Sequence, residues 1–159
     1  MFGIFKKKPI EIKSPLSGRI IPIENVPDEV FAQKMVGDGI GIEANEGIVA
    51  SPADGEILQV FPTKHAVALR TPEGVEILIH IGLDTVNMKG EGFEAFVKQG
   101  DQVKAGQELV RFDINLVREK AKSIITPVIV TNYKDMGSIE KLSGMVSKGS
   151  DTIMRVTKK

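Results

Sequence analysis

The sequence predicts an all-β fold: a compact antiparallel β-sandwich or barrel with one or two short helices. Three observations carry this. Sixteen glycines and eight prolines are spread along 159 residues and cut the chain into short segments. Those segments are rich in Ile and Val, whose branched side chains fit a pleated, half-buried surface. Only two stretches carry helix signals.

Taken in order, the first candidate strand is "GRIIPI", followed by a short helical turn in "PDEVFAQ". "GIGIEA", "GIVASP", "GEILQVF", "HAVALR" and "VEILIHIG" are the next strands, each bounded by Gly, Pro or a polar cluster. "ELVRFD" leads into "DINLVREKAK", a helix with Asp113 or Asn115 as N-cap and lysines in its last turn. "PVIVTN" and "DTIMRV" complete the set. "SPLSGRIIPI" and "SPADGEILQV" share Ser-Pro-x-x-Gly-x-Ile, and "VKQGDQVKAGQELVRF" and "KLSGMVSKGSDTIMRV" are further glycine-punctuated, hairpin-like units. An internal duplication and the mere recurrence of turn chemistry are both open on this pattern.

The length suits one domain, residues 9–159, behind a flexible tail of residues 1–8. Basic and acidic residues balance at 21 each, which argues against a broad nucleic-acid footprint. The absence of cysteine excludes disulfides, thiolate metal sites and thiol nucleophiles. No apolar run reaches the roughly 20 residues of a membrane span, and "MFGIFKKKPI" reverses the order of a signal peptide. The expected location is the cytoplasm. At most, the tail makes weak membrane contact through Phe2, Ile4, Phe5 and Lys6 to Lys8.

His65 and His80, the two histidines of the chain, flank the turn Thr71-Pro72-Glu73-Gly74 and so lie on the two arms of one hairpin. An even loop would pair Arg70 with Val75 and set His65 directly opposite His80. A type I turn with a bulge at Gly74 would slip the register by one and send the two side chains to opposite faces. The apolar pattern favours the slipped register, which gathers Val67, Leu69, Ile77, Ile79 and Ile81 on one face. If Gly74 is such a bulge, something near Lys64 must correct the register for the rings to meet. In either register Leu78 and His80 share the less buried face. A histidine placed there admits three readings: a phosphoryl-accepting nucleophile, a metal ligand, or a satisfied structural residue.

"GVEILIHIGLDTV" is similar to the phosphorylation-site signature of the glucose-type enzyme IIA of the bacterial phosphoenolpyruvate:sugar phosphotransferase system. The resemblance extends through "IKSPLSGRIIPIENVPDEVFAQKMVGDGIGI", "SPADGEILQVFPTKHAVAL", "VNMKGEGFEAFVKQGDQVKAGQELVRFD" and "LVREKAKSIITPVIVTN". It implies a small antiparallel β-sandwich in which His80 takes the phosphoryl group on Nε2, His65 stabilises it and Thr63 orients His65. It further implies a docking patch of Val30, Phe31, Met35, Val36, Phe61, Leu78 and Val86 rimmed by Asp28 and Asp84. The implied donor is the carrier HPr, and the acceptor is a cysteine on the IIB domain of a sugar permease. Because this chain has no cysteine, that IIB domain must lie on another polypeptide. With Met1 and so short a tail, the sequence reads as a free-standing IIA subunit that needs no cofactor. Regulatory binding to transporters or metabolic enzymes overlaps this role.

Two rival chemistries draw on the same region. A zinc hydrolase would use His65, His80 and Asp84 as ligands, but the H-x-H pattern of related zinc peptidases is missing. A zinc shared with a partner protein could take its two imidazole ligands from His65 and His80. A swinging-arm carrier would need Lys89 at a hairpin tip, and "VNMKGEG" lacks the neighbours of such a site.

Overall fold

Val67, Leu69, Ile77 and Ile79 alternate with Ala66, Ala68, Leu78 and His80 along two adjacent strands, and this alternation gives the central sheet its two faces. The computed structural model describes residues 8–159; the rest of the expected tail, with Phe2, Ile4, Phe5, Lys6 and Lys7, lies outside the described residues. Lys8 is exposed and leads into β1 (Ile10–Lys13).

β2 (Gly18–Pro22), β3 (Asp38–Ala44), β5 (Gly55–Val60), β6 (Ala66–Arg70), β7 (Glu76–His80), β9 (Gln102–Val103), β11 (Ile125–Val130) and β13 (Met145–Val146) form one antiparallel sheet. Its order is β13-β2-β3-β11-β7-β6-β5-β9. Two three-stranded sheets cover it. One pairs β1 and β12 (Met136–Lys141) with β14 (Thr152–Lys158); the other pairs β4 (Ile48–Ala50) and β8 (Phe93–Ala95) with β10 (Glu108–Phe112). The fold is therefore the antiparallel β-sandwich expected. The main core joins all three sheets through residues such as Ile12, Val156, Val49, Val110, Ile40, Ile79 and Val128, each at most 1 % exposed. A second cluster lies on the outer face of the large sheet, beneath α1 (Glu29–Ala32).

The internal echo corresponds to matched contacts. Gly18 pairs with Val146 as Gly55 pairs with Val103. Ser14 and Ser51 are both fully buried and cap the carbonyls of Leu16 and Ala53. The Lys13 N–H bonds the Pro52 carbonyl and the Ala50 N–H bonds the Pro15 carbonyl, each at 2.8 Å. The β1–β14 and β4–β10 ladders slip register at corresponding places. Carried through the strand pairings, His80 corresponds to Ile129 and His65 to Asp38. The two halves share a scaffold, and only one carries the histidines.

The helices hold to their signals. Asp113, rather than Asn115, caps α2 (Ile114–Lys120), its carboxylate accepting the Leu116 N–H at 3.1 Å. Strands β1, β8 and β12 escaped prediction, because "PIEIK", "FEA" and "MGSIEK" mix charge or glycine into short edge segments.

Candidate functional site

The β6–β7 hairpin follows the slipped register. Arg70 pairs with Glu76 and Ala66 with His80, as the apolar pattern favoured, and the even-loop alternative with His65 directly opposite His80 is excluded. The cause is the turn: Gly74 has φ of +96°, its N–H bonds the Thr71 carbonyl, and the Thr71 N–H bonds the Val75 carbonyl. A regular continuation would turn His65 into the main core. Instead the chain leaves the strand there. Lys64 takes φ of +62°, its N–H bonds the Phe61 carbonyl at 2.7 Å, and the Phe61 N–H returns to the Ala66 carbonyl at 3.0 Å. This tight turn swings His65 to the outer face while its carbonyl still accepts the Ile81 N–H at 2.7 Å. The ring centroids of His65 and His80 end 4.9 Å apart at 78°. Fully buried Ala66, directly across from His80, leaves room for both rings.

Each imidazole is fixed through Nδ1. His80 Nδ1 lies 2.8 Å from the Gly82 carbonyl, which can only accept, so the proton sits on Nδ1 and Nε2 carries the lone pair. His65 Nδ1 bonds the hydroxyl of Thr63, the residue expected to orient it. Phe31 packs on the His80 ring at 5.1 Å and Phe61 on the His65 ring at 5.6 Å. Burial lowers the His65 pKa to about 4, and the neighbouring His80 ring adds to the shift. Burial also holds His80 below the ordinary histidine value, opposed by its bond to Gly82 and by the charges of Asp28 and Asp84. Both rings are neutral near pH 7, so the site presents a nucleophilic nitrogen beside a second imidazole.

The expected docking residues divide by exposure. Val30, Met35 and Val86 stand 43 %, 70 % and 50 % exposed, so an apolar rim faces solvent. Phe31 and Leu78 are buried in the outer cluster, with Val36 and Phe61 half-buried against it. Phe31 and Leu78 are thus the floor of the patch rather than its surface. Asp28 caps α1 by accepting the Val30 N–H, and exposed Asp84 takes φ of +60° just past His80. Among the described residues, no three His, Asp or Glu side chains gather as a metal-ligand group, so Asp84 does not complete a set with the two histidines. Lys89 ends a short 3-10 turn, Thr85–Met88, and not a hairpin.

Gly82, Thr85 and Thr126 received no role from sequence reasoning. Gly82 lies inside the quoted signature, and its φ of +68° is the signal that sequence alone hides. Thr126 is a lone hydroxyl in the apolar run "IITPVIV", which gives it away as a buried polar group with a partner. No described helix is long and apolar enough to cross a membrane.

The family model described as "phosphoenolpyruvate-dependent sugar phosphotransferase system, EIIA 1" matches residues 10–136. A glucose-specific EIIA component of Halalkalibacterium halodurans is 52 % identical, covering 96 % of this chain and 92 % of the relative. The component of the same name from Bacillus cereus is also 52 % identical, covering 100 % of this chain and 98 % of the relative. The solved structure of glucose permease IIA from Mycoplasma capricolum superposes with a TM-score of 0.87 at 39 % identity, covering 98 % of this chain and 99 % of that one.

Proposed function

Because the chain belongs to the EIIA 1 family of the phosphoenolpyruvate-dependent sugar phosphotransferase system, we propose that this phosphotransferase component carries a phosphoryl group on His80 Nε2. The donor is phosphohistidine on HPr and the acceptor is a cysteine of the IIB domain of a sugar permease. In the first step the P–N bond to HPr breaks as the P–N bond to His80 Nε2 forms. In the second, the IIB thiolate attacks phosphorus, the S–P bond forms and His80 Nε2 recovers its lone pair. His80 keeps its Nδ1 proton throughout. With the Thr63 hydroxyl donating to His65 Nδ1, the Nε2–H of His65 is free to bond a phosphoryl oxygen and offset charge during transfer.

The single observation that carries this reading is the 2.8 Å bond from His80 Nδ1 to the Gly82 carbonyl, with a second imidazole 4.9 Å away. It leaves a neutral nucleophile with one donor beside it. The exposed rim of Val30, Met35 and Val86, with Asp28 and Asp84 nearby, suits partners that offer an apolar face and a basic residue. Regulatory partners would read the same patch. The names of the relatives support glucose as the sugar of the partner permease, and the cytoplasm as the place of work follows from the relay itself. Residues 9–159 act as one phosphocarrier domain.

Incubation with phosphoenolpyruvate, enzyme I and HPr should add one acid-labile, base-stable phosphate, read by mass. His80→Ala should take up none; the same phosphate on that variant overturns the assignment. His65→Gln should accept phosphate and pass it on more slowly, by roughly 10²-fold, the loss typical of a removed transition-state donor.

A further inference from the structure

Behind His80, two consecutive peptide units are each bonded at both ends. In the Ile81–Gly82 unit, the Ile81 carbonyl accepts from Thr85 Oγ1 at 2.6 Å and the Gly82 N–H donates to Thr126 Oγ1 at 3.1 Å. In the Gly82–Leu83 unit, the Leu83 N–H donates to the Ser123 carbonyl at 2.9 Å and the Gly82 carbonyl accepts from His80 Nδ1 at 2.8 Å. The Thr126 hydroxyl donates to the Ile124 carbonyl at 3.2 Å, which leaves its oxygen to accept from Gly82. Thr85 and Thr126 are both fully buried.

The bond that sets the His80 tautomer therefore depends on a glycine, the residue with the freest backbone. Gly82 sits at φ of +68°, and its orientation is imposed by its neighbours rather than by its own preferences. Thr126 reaches it from β11, the strand beside β7 in the large sheet, while Thr85 holds the preceding carbonyl from within the same loop. We propose that Thr126 is a positioning residue of the site: by accepting the Gly82 N–H it aims the Gly82 carbonyl at His80 Nδ1 and so keeps the Nε2 lone pair outward. Its importance to phosphoryl transfer rests on His80 being the acceptor; its action on the imidazole does not. Once the carbonyl swings away, His80 can take the other tautomer, whose Nε2 bears a proton and cannot attack. The Ser123–Leu83 bond strengthens the effect by polarising the same peptide unit toward His80.

Thr126→Val keeps the shape and removes the acceptor, whereas Thr126→Ser keeps the oxygen. Two readouts apply to the full chain: ring ¹⁵N shifts of both histidines, and the rate of phosphate uptake from phospho-HPr. Wild type should show His80 protonated on Nδ1. Thr126→Val should shift His80 toward the Nε2–H form, leave His65 unmoved and slow uptake by roughly tenfold, as lost orienting partners commonly do. Thr126→Ser should restore both values. Unchanged His80 shifts and rate in Thr126→Val, or equal impairment in the Ser variant, overturn the proposal. Should the Val variant not fold, a folded Ser variant that loses the Nδ1–H signature overturns it, as does a wild-type ring already protonated on Nε2. If the shifts respond as described while wild type takes no phosphate, the phosphocarrier reading fails and the positioning role stands.

Discussion

At His65, burial and the neighbouring imidazole act on the proton equilibrium in the same direction, both favouring the neutral ring. The pH dependence of stability follows from that sign. An unfolded chain binds a proton at His65 near the ordinary value of 6.5, while the folded chain resists until about 4. Between those values the unfolded state holds more protons, so stability is full above pH 6.5 and declines as pH falls toward 4. The loss amounts to about 3–4 kcal/mol at most, at roughly 1.4 kcal/mol for each pH unit between the two values. His80, also lowered, contributes with the same sign. Urea titrations at stepped pH should show this decline in wild type and a shallower one in His65→Gln; parallel curves would remove His65 as the cause. The same effect bears on function, because a site whose histidines stay neutral keeps its nucleophile below pH 6.5.

At the scale of the hairpin, two glycines with positive φ do different work. A Cβ on Gly74, at φ of +96°, would meet nothing within 4 Å, so Gly74→Ala should cost only its backbone strain, about 1 kcal/mol. A Cβ on Gly82, at φ of +68°, would stand 2.8 Å from Thr85 Cγ2 and 2.9 Å from the Ser123 carbonyl oxygen. Gly82→Ala adds that crowding to the strain and should cost about 2–4 kcal/mol. Equilibrium denaturation distinguishes them, and equal losses would show that the close approach at Gly82 is relieved at no cost. Phosphate uptake should fall in Gly82→Ala and hold in Gly74→Ala, since only the first touches the acceptor of the His80 proton.

Across the whole molecule, the patch around the histidines has a rim of residues that the fold does not need. Val30 and Met35 are 43 % and 70 % exposed, so Val30→Asp and Met35→Asp should alter stability by no more than about 0.5 kcal/mol. On the proposed relay their effect belongs to partner encounter, where a charge on an apolar rim should slow phosphoryl transfer both to and from His80. Asp84→Asn should keep the left-handed backbone that Asn tolerates. It should also lower the association rate with HPr and flatten the dependence of that rate on salt. A rate unaffected by salt in wild type would show that these acids do not steer the encounter. An exposed patch of this kind favours fast release, which the proposed relay between two partners would require.

The all-β class, both helices and the core face of the hairpin were legible because each depends on short-range periodicity and turn chemistry. Val67, Leu69, Ile77 and Ile79 point inward for the reason their alternation implies. The two histidines were legible as residues and, through family resemblance, as a pair. Their meeting was legible only as a condition, that the register be corrected near Lys64, and the structure makes the correction there. It depends on Lys64 adopting a left-handed turn that no local preference dictates, held by bonds from Phe61 to Ala66 and from Ile81 to His65. The resemblance implied a free Nε2 on His80, but the group that holds its proton on Nδ1 was hidden, since that acceptor is a glycine carbonyl aimed by a threonine 44 residues away in the chain. Sequence by itself determined which residues face the core and which chemistry is available. The tertiary structure alone decided ring orientation and proton placement, because the local bonds from Thr63 to His65 and from His80 to Gly82 form only where contacts with distant segments, such as Thr126 on Gly82, hold those loops in place.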